Sequence, residues 1–148
     1  MTTVERVVAN DTGGLEEVAR LVDELAAAHA LPSGAVTDMQ VALDEVLTNI
    51  VQYAHSDGGA HDIRVRLTVS PEVFEAEVED DGRPFDPLTL PPPDLRGALA
   101  DRAVGGLGIH FVRRLMTEVR YTHVNNRNRL VLTKRLRDQM EAESRGSS

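Results

Sequence analysis

Apolar and polar residues follow two different periods along the 148-residue chain, and the period changes from segment to segment. A spacing of three and four indicates helices, whereas strict alternation indicates strands that bury one face. The pattern predicts, in order, a strand at 3–9, a helix whose stripe starts at Leu15, a helix from about Ser33 to His55, strands at 63–69 and 74–80, a loop, a helix from 105 to about Thr117, and a hairpin with strands at 119–123 and 130–136 around NNRN. This order predicts an α/β two-layer sandwich, in which a mixed, mostly antiparallel sheet carries helices on one face.

The chain is predicted to form a single domain over residues 1–137, with a frayed tail at 138–148. Hydrophobic residues make up 41% of the sequence, which is enough for one core. The Pro-rich segment from Pro84 to about Arg102 has neither period and is predicted to be a long loop. Loops of this length in a small domain are usually functional or disordered.

Composition excludes several classes of protein. The net charge is −8 and no basic stripe is present, which argues against a direct nucleic-acid partner. No apolar run approaches the roughly 18 residues of a membrane span, and no signal-peptide pattern opens the chain, so we expect a cytoplasmic protein with no membrane partner. The absence of Cys excludes disulfides and thiolate metal sites. Lys134 is the only lysine and follows no glycine, which excludes a P-loop and the strand lysine of eukaryotic-type protein kinases.

The stretch DEVLTNIVQYAH, residues 44–55, carries polar side chains on a helix face that otherwise looks buried. Glu45 and Asn49 are four residues apart and therefore share a face, whereas Asp44 and Thr48 lie toward solvent. A buried polar group without a partner costs about 1–3 kcal/mol. Two interpretations of this stretch stay open: a helix-edge pair that bonds to a loop, and a pair that meets a ligand.

Asp80 ends a strand in which the apolar residues from Phe74 to Val78 alternate on one face. Period two places Asp80 on that same core-facing side and Asp81 on the outside. A carboxylate that enters the core is costly unless a donor or a ligand meets it, and Gly82 beside it permits a sharp turn. The alternatives are an ordinary Asp-Asp-Gly turn and a ligand contact.

The motif GGLG at 105–108 opens the third helix, where glycines let backbone N–H groups approach a ligand and the helix N-terminus favours an anion. Phe111 stands where a dinucleotide fingerprint needs its third glycine, and a flexible loop end is the alternative. Together, the three features fit one ligand, with a phosphate chain at the GGLG helix start and a base bearing an exocyclic amine at Asp80. Mg²⁺ would lie near Asn49, and Glu45 could act as a base.

On these motifs the chain resembles the GHKL, or Bergerat-fold, ATP-binding superfamily. Within it, the chain is most similar to the anti-sigma factor serine/threonine kinases of bacterial partner-switching systems. The three boxes of that family are matched in order by DEVLTNIVQYAH, VEDDGRPFDP and VGGLGIHFVRRLMTEV, and the resemblance covers nearly the whole chain. It implies that Asn49 holds Mg²⁺ and that Glu45 takes a proton from a substrate serine. It also implies that Asp80 binds the adenine amine, with Gly82 and Phe85 shaping the turn beneath the base.

The same resemblance implies that four consecutive residues offer their backbone to the ATP phosphates: Gly105, Gly106, Leu107 and Gly108. It makes the Pro-rich loop an ATP lid, with Arg102 as a candidate phosphate contact. The chain departs from the family pattern in three places. Arg83-Pro84 replaces the second glycine of many second boxes, the lid is short, and the last hairpin lacks a common Gly-Thr pair, for which Thr133 is a candidate substitute.

The function implied by the resemblance is that of a protein-serine kinase that uses ATP and Mg²⁺ and also binds a sigma factor or another regulatory protein. Such a kinase phosphorylates a STAS-type anti-anti-sigma protein and so switches partners, and homodimerisation through the first strand and helix is implied as well. Sensor histidine kinases share the fold but need a phospho-accepting His on a preceding helix pair. This chain starts almost directly with the first strand, so the acceptor is expected to be another protein. The alternatives are an ATP-binding regulatory module with little or no kinase activity, and an ATPase acting on itself or on small molecules.

Overall fold

The computed structural model describes residues 1–51, 61–82 and 106–136. The strands are β1 (Thr2–Ala9), β2 (Asp62–Val69), β3 (Val73–Asp80), β4 (Glu118–Val124) and β5 (Arg127–Arg135), and the helices are α1 (Thr12–His29), α2 (Ser33–Asn49) and α3 (Gly106–Leu115). The predicted order of elements is confirmed. The predicted lid loop, the continuation of α2 to His55 and the frayed tail lie outside the described residues.

The five strands form one sheet in the order β1-β2-β3-β5-β4. Every pairing between neighbouring described strands is antiparallel, so the antiparallel part of the prediction is confirmed and no parallel pair occurs among these strands. β1 forms one edge of this sheet and β4 forms the other.

The hydrophobic core lies between the helices and one face of the sheet. Each of the three helices contributes to it, as Val22 in α1, Leu43 in α2 and Val112 in α3 show, and Phe74 and Leu132 contribute from the central strands. Along β3, every second residue from Phe74 to Asp80 is buried, as period two predicts, and Glu79 between the last two is buried as well. All three helices therefore cover the same sheet face, which confirms the two-layer sandwich. Among the described helices, none is both long and apolar enough to span a membrane.

The opposite sheet face carries six charged side chains that contact one another in a closed ring of alternating sign. In order around the ring they are Glu5, Arg64, Glu79, Arg129, Glu77 and Arg66, with N–O distances from 3.1 to 3.8 Å. We call these six residues the charge ring. The ring shows that Glu77 and Glu79 of β3 point away from the core. The three arginines and Glu5 are about half exposed, whereas Glu77 and Glu79 are mostly buried, at 20% and 11%. The exposed partners limit each pair to about 1 kcal/mol, and the three negative and three positive charges balance.

The start of α1 is fixed by its cap and by a close approach to β1. Asp11 Oδ1 accepts a hydrogen bond from the Gly14 N–H at 2.9 Å, so Asp11 is the N-cap of this helix. A Cβ added at Gly14 would lie 2.0 Å from the Ala9 carbonyl oxygen. The first turn of α1 can therefore pack this closely on β1 only with glycine at this position.

The last hairpin turns at Asn125 and Asn126, whose φ angles are 56° and 62°. Positive φ at both central residues of a two-residue loop is the requirement of a type I′ turn, and Asn tolerates this conformation better than most residues. β5 therefore begins at Arg127. The prediction that it begins at Leu130 is wrong, because two residues of NNRN make the turn and the other two belong to the strand.

Candidate active site

The side chain of Lys134 fixes the relative direction of α2 and α3. Its Nζ lies 2.7 Å from Asp38 Oδ2, near the start of α2, and donates to the Leu115 carbonyl oxygen at 2.6 Å, at the end of α3. The start of one helix and the end of the other therefore meet at Lys134, and the two helices run antiparallel. Lys134 pairs with Phe74 across the sheet, and we call this end of the sandwich the anchor end.

From the anchor end, the three elements that carry the predicted motifs all run to the opposite end. At a rise of about 1.5 Å per residue, α2 spans about 16 Å from Asp38 to Asn49, and α3 spans about 14 Å back to Gly106. At about 3.4 Å per residue, β3 spans about 20 Å from Phe74 to Asp80. Asn49, Gly106 and Asp80 therefore lie at the same end of the sandwich, which we call the site end.

Glu45 and Asn49 lie on the last turns of α2 and both are half-buried, as their shared face predicts. Val46 and Leu47 on the same turns are buried in the core, so the helix is held against the sheet at this point. Asp44 is exposed, as expected. Thr48 is half-buried, as Glu45 and Asn49 are, so burial does not separate its face from theirs.

Asp80 is buried, with 3% of its surface exposed, and Asp81 beside it is exposed, as period two predicts. Asp80 Oδ2 accepts a hydrogen bond from the Gly82 N–H at 2.9 Å. The Asp-Asp-Gly turn is therefore confirmed, and the ligand contact stays a prediction that the buried carboxylate leaves open. The exposed Asp81 contacts His61 Nδ1 at 3.3 Å, which ties the end of β3 to the start of β2.

Asn128 is the site-end residue that the sequence pattern did not identify. It stands opposite Asp80 on β5 and is 7% exposed. Its Nδ2 lies 3.4 Å from Asp80 Oδ2 and 3.2 Å from the Gly82 carbonyl oxygen, and its Oδ1 accepts a hydrogen bond from the Tyr121 hydroxyl. Period two continued backward from Leu130 places Asn128 on the core face, but the predicted turn covered this position.

Thr133 does not lie at the base pocket, and its candidacy as a substitute there is wrong. It pairs with Glu75 and Glu118 at the anchor end, and its carbonyl oxygen accepts a hydrogen bond from the Thr117 N–H at 2.8 Å. Five residues along β5 separate it from Asn128, which is about 17 Å. Asn128, not Thr133, is the β5 residue beside Asp80.

The structure describes only some of the remaining predicted site residues. Gly106, Leu107 and Gly108 form the first turn of α3, which carries no acidic residue. The N–H groups of such a turn have no partner within the helix and favour an anion. Phe85, Gly105 and Arg102 lie outside the described residues.

The site end thus combines groups with complementary chemistry. The buried Asp80 carboxylate accepts hydrogen bonds, the α3 N-terminus favours phosphate, and Asn49 supplies an amide oxygen. Mg²⁺ takes oxygen ligands and usually keeps several waters, so one amide oxygen together with phosphate oxygens suits it. A half-buried carboxylate, Glu45, lies one helical turn from Asn49 and could accept a proton.

Comparison with known proteins finds a family model and named relatives that match the chain. The family model of the histidine kinase-like ATPase domain matches residues 8–134. The serine/threonine-protein kinase BtrW of Bordetella bronchiseptica is 30% identical over 95 residues, which are 64% of this chain and 67% of that protein. The serine-protein kinase RsbW of Bacillus velezensis is 32% identical over 89 residues, 57% of this chain and 56% of that protein. The chain thus spans little more than half the length of this RsbW relative.

Two solved structures share the fold at low sequence identity. The RsbU and RsbW domains of a Mycobacterium tuberculosis protein align with a TM-score of 0.65 and 17% identity, over 92% of this chain and 33% of that one. The SiaB-SiaC complex of Pseudomonas aeruginosa aligns with a TM-score of 0.53 and 17% identity, over 91% of this chain and 89% of that one. The predicted Bergerat-type sandwich is confirmed. Since the family model covers the chain from β1 to β5, the chain belongs to the histidine kinase-like ATPase domain family, as its resemblance to the GHKL superfamily predicts.

Proposed function

We propose that this chain is a cytoplasmic protein-serine kinase that transfers the γ-phosphoryl group of ATP to a STAS-type regulatory protein and also binds a sigma factor or a similar regulator. The observation that carries the proposal is the convergence of Glu45, Asn49, Asp80 and the α3 N-terminus at the site end. The names of BtrW and RsbW as serine-protein kinases support the same activity. SiaB and SiaC form a complex, which supports a protein partner for this fold.

Each group has a distinct task in this proposal. Asp80 recognises the exocyclic amine of adenine and so orients the nucleotide. The first turn of α3, together with Gly105, meets the phosphates through backbone N–H groups, and Asn49 supplies an oxygen ligand to Mg²⁺. When bound, Mg²⁺ would neutralise charge on the phosphate oxygens. Phosphoryl transfer depends mainly on such positioning and charge stabilisation.

Glu45 is the residue that separates a kinase from a pure nucleotide-binding module. Binding ATP does not require a carboxylate one turn away from the metal ligand. Such a carboxylate lies near the phosphates, and repulsion between their negative charges weakens ATP binding. As a general base, however, it would take the proton of a serine hydroxyl as that oxygen attacks phosphorus. The half-buried position of Glu45 therefore favours the kinase over the module with little or no activity.

The proposal is tested by comparing Glu45→Gln with Asp44→Asn, a control at the adjacent exposed position of α2. Purified STAS-domain proteins serve as acceptors with radiolabelled ATP, and thermal unfolding with Mg²⁺-ATP reports binding. Ligand at about 100 times Kd stabilises by about 2.7 kcal/mol, a shift of several degrees for this size. We expect Glu45→Gln to keep that shift and to lower transfer at least about 100-fold, whereas Asp44→Asn changes neither.

Three results would contradict parts of the proposal in different ways. Unchanged transfer by Glu45→Gln would remove the base role of Glu45. Nucleotide binding without transfer by the wild type would favour the regulatory module. An unfolding temperature that does not respond to Mg²⁺-ATP would remove the nucleotide site itself, and Asn49→Ala should abolish only the Mg²⁺-dependent part of the shift.

Dimerisation stays a prediction that the fold makes testable. β1 is an edge strand of the described sheet, and its free backbone groups could pair with another strand. Sedimentation of the wild type and of a variant with proline in β1 measures this directly. A dimer that persists with proline in β1 would place the interface elsewhere.

A further inference from the structure

A partly buried chain of hydrogen bonds leads from β4 through β5 to the predicted base contact on β3. The Tyr121 hydroxyl donates to Asn128 Oδ1, and Asn128 Nδ2 lies 3.4 Å from Asp80 Oδ2 and 3.2 Å from the Gly82 carbonyl oxygen. Gly82 in turn donates its N–H to the same Oδ2 at 2.9 Å. The three strands and the turn after β3 therefore share one polar network at the site end.

The surroundings of the Asn128 amide allow only one orientation of its oxygen and nitrogen. The Asp80 carboxylate and the Gly82 carbonyl are both acceptors, so they require the NH₂ group. A flipped amide would place three acceptor oxygens against one another. The Tyr121 hydroxyl donates to the amide oxygen on the other side and holds this orientation.

The network acts on one oxygen of the Asp80 carboxylate. Both the Gly82 N–H and the Asn128 amide are directed at Oδ2. Gly82 lies just after the end of β3, and Asn128 lies near the start of β5. Two donors on one oxygen fix the rotation of the carboxylate plane about the Cβ–Cγ bond. The direction of Oδ1 is then set by the network and not by a mobile side chain.

We propose that Asn128, oriented by Tyr121, is the positioning residue that sets the Asp80 carboxylate for an exocyclic amine and thereby determines the base preference of this site. The inference rests on the proposed function, because it assumes that a nucleotide base meets Asp80. A carboxylate accepts from an N–H donor and repels a carbonyl oxygen, so a fixed carboxylate discriminates by the group on the base. A carboxylate free to rotate can retreat from a wrong base and discriminates less.

The test measures how much the exocyclic amine contributes to affinity in each variant. Dissociation constants are determined by calorimetry for Mg²⁺-ATP and for Mg²⁺-purine riboside triphosphate, which lacks the amine but keeps the ring and the phosphates. Their ratio is the amine preference. We expect Asn128→Ala to lower this preference about tenfold, which is about 1.4 kcal/mol, and Tyr121→Phe to lower it about threefold because only the orienting hydroxyl is lost.

Thr122→Val is the matched control, since it also removes a hydroxyl from β4 but at the adjacent, exposed position. It should leave the amine preference unchanged. Binding of inorganic tripolyphosphate with Mg²⁺ should be the same in all variants, because that ligand does not reach Asp80. If Asn128 had a purely structural role, its replacement would weaken the binding of both nucleotides and of tripolyphosphate together. Tyr121→Phe keeps the experiment decisive if Asn128→Ala fails to fold.

The outcomes distinguish this inference from the function on which it rests. Wild-type protein that binds neither nucleotide overturns both. Wild-type protein that binds both nucleotides equally leaves the nucleotide site standing but overturns the role of Asp80 and Asn128 in base preference. A wild-type preference that neither Asn128→Ala nor Tyr121→Phe lowers overturns the positioning role alone.

Discussion

Replacing Lys134 by Met removes the ammonium group that joins α2, α3 and β5, while the apolar length of the side chain is kept. In the wild type, Nζ lies 2.7 Å from Asp38 Oδ2 and 2.6 Å from the Leu115 carbonyl oxygen. The change therefore removes one ion pair and one charged hydrogen bond at the anchor end. It also removes a cation from the C-terminal end of α3, where the helix dipole favours positive charge.

The expected loss of stability follows from the burial of the two charged side chains. Lys134 is 15% exposed and Asp38 is 26% exposed. Removing one partner of a fully buried pair costs about 3–5 kcal/mol, whereas a fully exposed pair contributes about 0.2–1 kcal/mol. This partly screened pair lies between those limits, and we expect a loss of about 2 kcal/mol. For a domain of this size the unfolding temperature should then fall by about 4–8 °C.

The assay is urea unfolding of wild type, Lys134→Met, Asp38→Asn and the double variant, which together form a thermodynamic cycle. The coupling between Lys134 and Asp38 should be about 1 kcal/mol, and the remainder belongs to the Leu115 contact. Arg120→Met is the control, because its ion pair with Glu118 spans 3.6 Å and both side chains are more than half exposed. It should cost less than about 1 kcal/mol.

If Lys134→Met loses no more stability than Arg120→Met, the reasoning that Lys134 anchors the helices is refuted. Because Lys134 is the only lysine, mass spectrometry after amine acetylation gives a second, independent test. In the folded protein, acetylation at Lys134 should be much slower than at the N-terminus, since its Nζ is engaged on two sides. Equal rates would contradict the contacts themselves.

Three further changes test local features of the fold. Gly14→Ala should cost more than about 2 kcal/mol in urea unfolding, because its Cβ would meet the Ala9 carbonyl oxygen at 2.0 Å and backbone cannot easily move; a loss below about 1 kcal/mol would show that α1 shifts freely. Asn126→Gly should raise stability by about 0.5 kcal/mol, since φ is 62° and glycine adopts this angle without a steric cost; a fall in the unfolding midpoint would argue against the type I′ turn. Glu77→Gln should cost about 1 kcal/mol, and less at about 1 M salt, because Glu77 is only 20% exposed but its partners Arg66 and Arg129 are about half exposed; an effect insensitive to salt would contradict an electrostatic origin.

Much of the fold was predictable because its strands bury only one face. Alternation over 63–69 and 74–80 indicates the correct inward side of both strands, since a slip of one residue would expose the whole apolar set. The hairpin was misplaced for a local reason. Asn125 and Asn126 supply both left-handed positions of the turn. The sequence NNRN contains four polar residues, and the pattern alone does not indicate which two of them form the turn.

The candidate site was predictable where its groups lie on regular elements. The spacing of Glu45 and Asn49 required only helical periodicity, and the side of Asp80 required only period two. Asn128 was not predictable in the same way, because its role depends on the β3–β5 register, a contact between residues 48 apart in sequence. From the sequence, Lys134 serves only to exclude other nucleotide-binding designs, since its contacts with α2 and α3 depend on tertiary packing.

The two ends of the sandwich differ in what they bury. At the anchor end, β3 and β5 bury apolar side chains such as Phe74 and Leu132, and the charged pair of Lys134 and Asp38 stays partly exposed, at 15% and 26%. At the site end, Asp80 and Asn128 are buried as well, and each needs hydrogen-bond partners there. Apolar residues of similar size at these two positions would be no less stabilising, because a satisfied buried polar pair gains little over a packed apolar one. Stability alone therefore does not account for Asp80 and Asn128, whereas a ligand that requires a fixed acceptor does. Departures from the apolar pattern at one end of an otherwise regular core are where a binding site is expected, and the half-buried Glu45 and Asn49 lie at that same end.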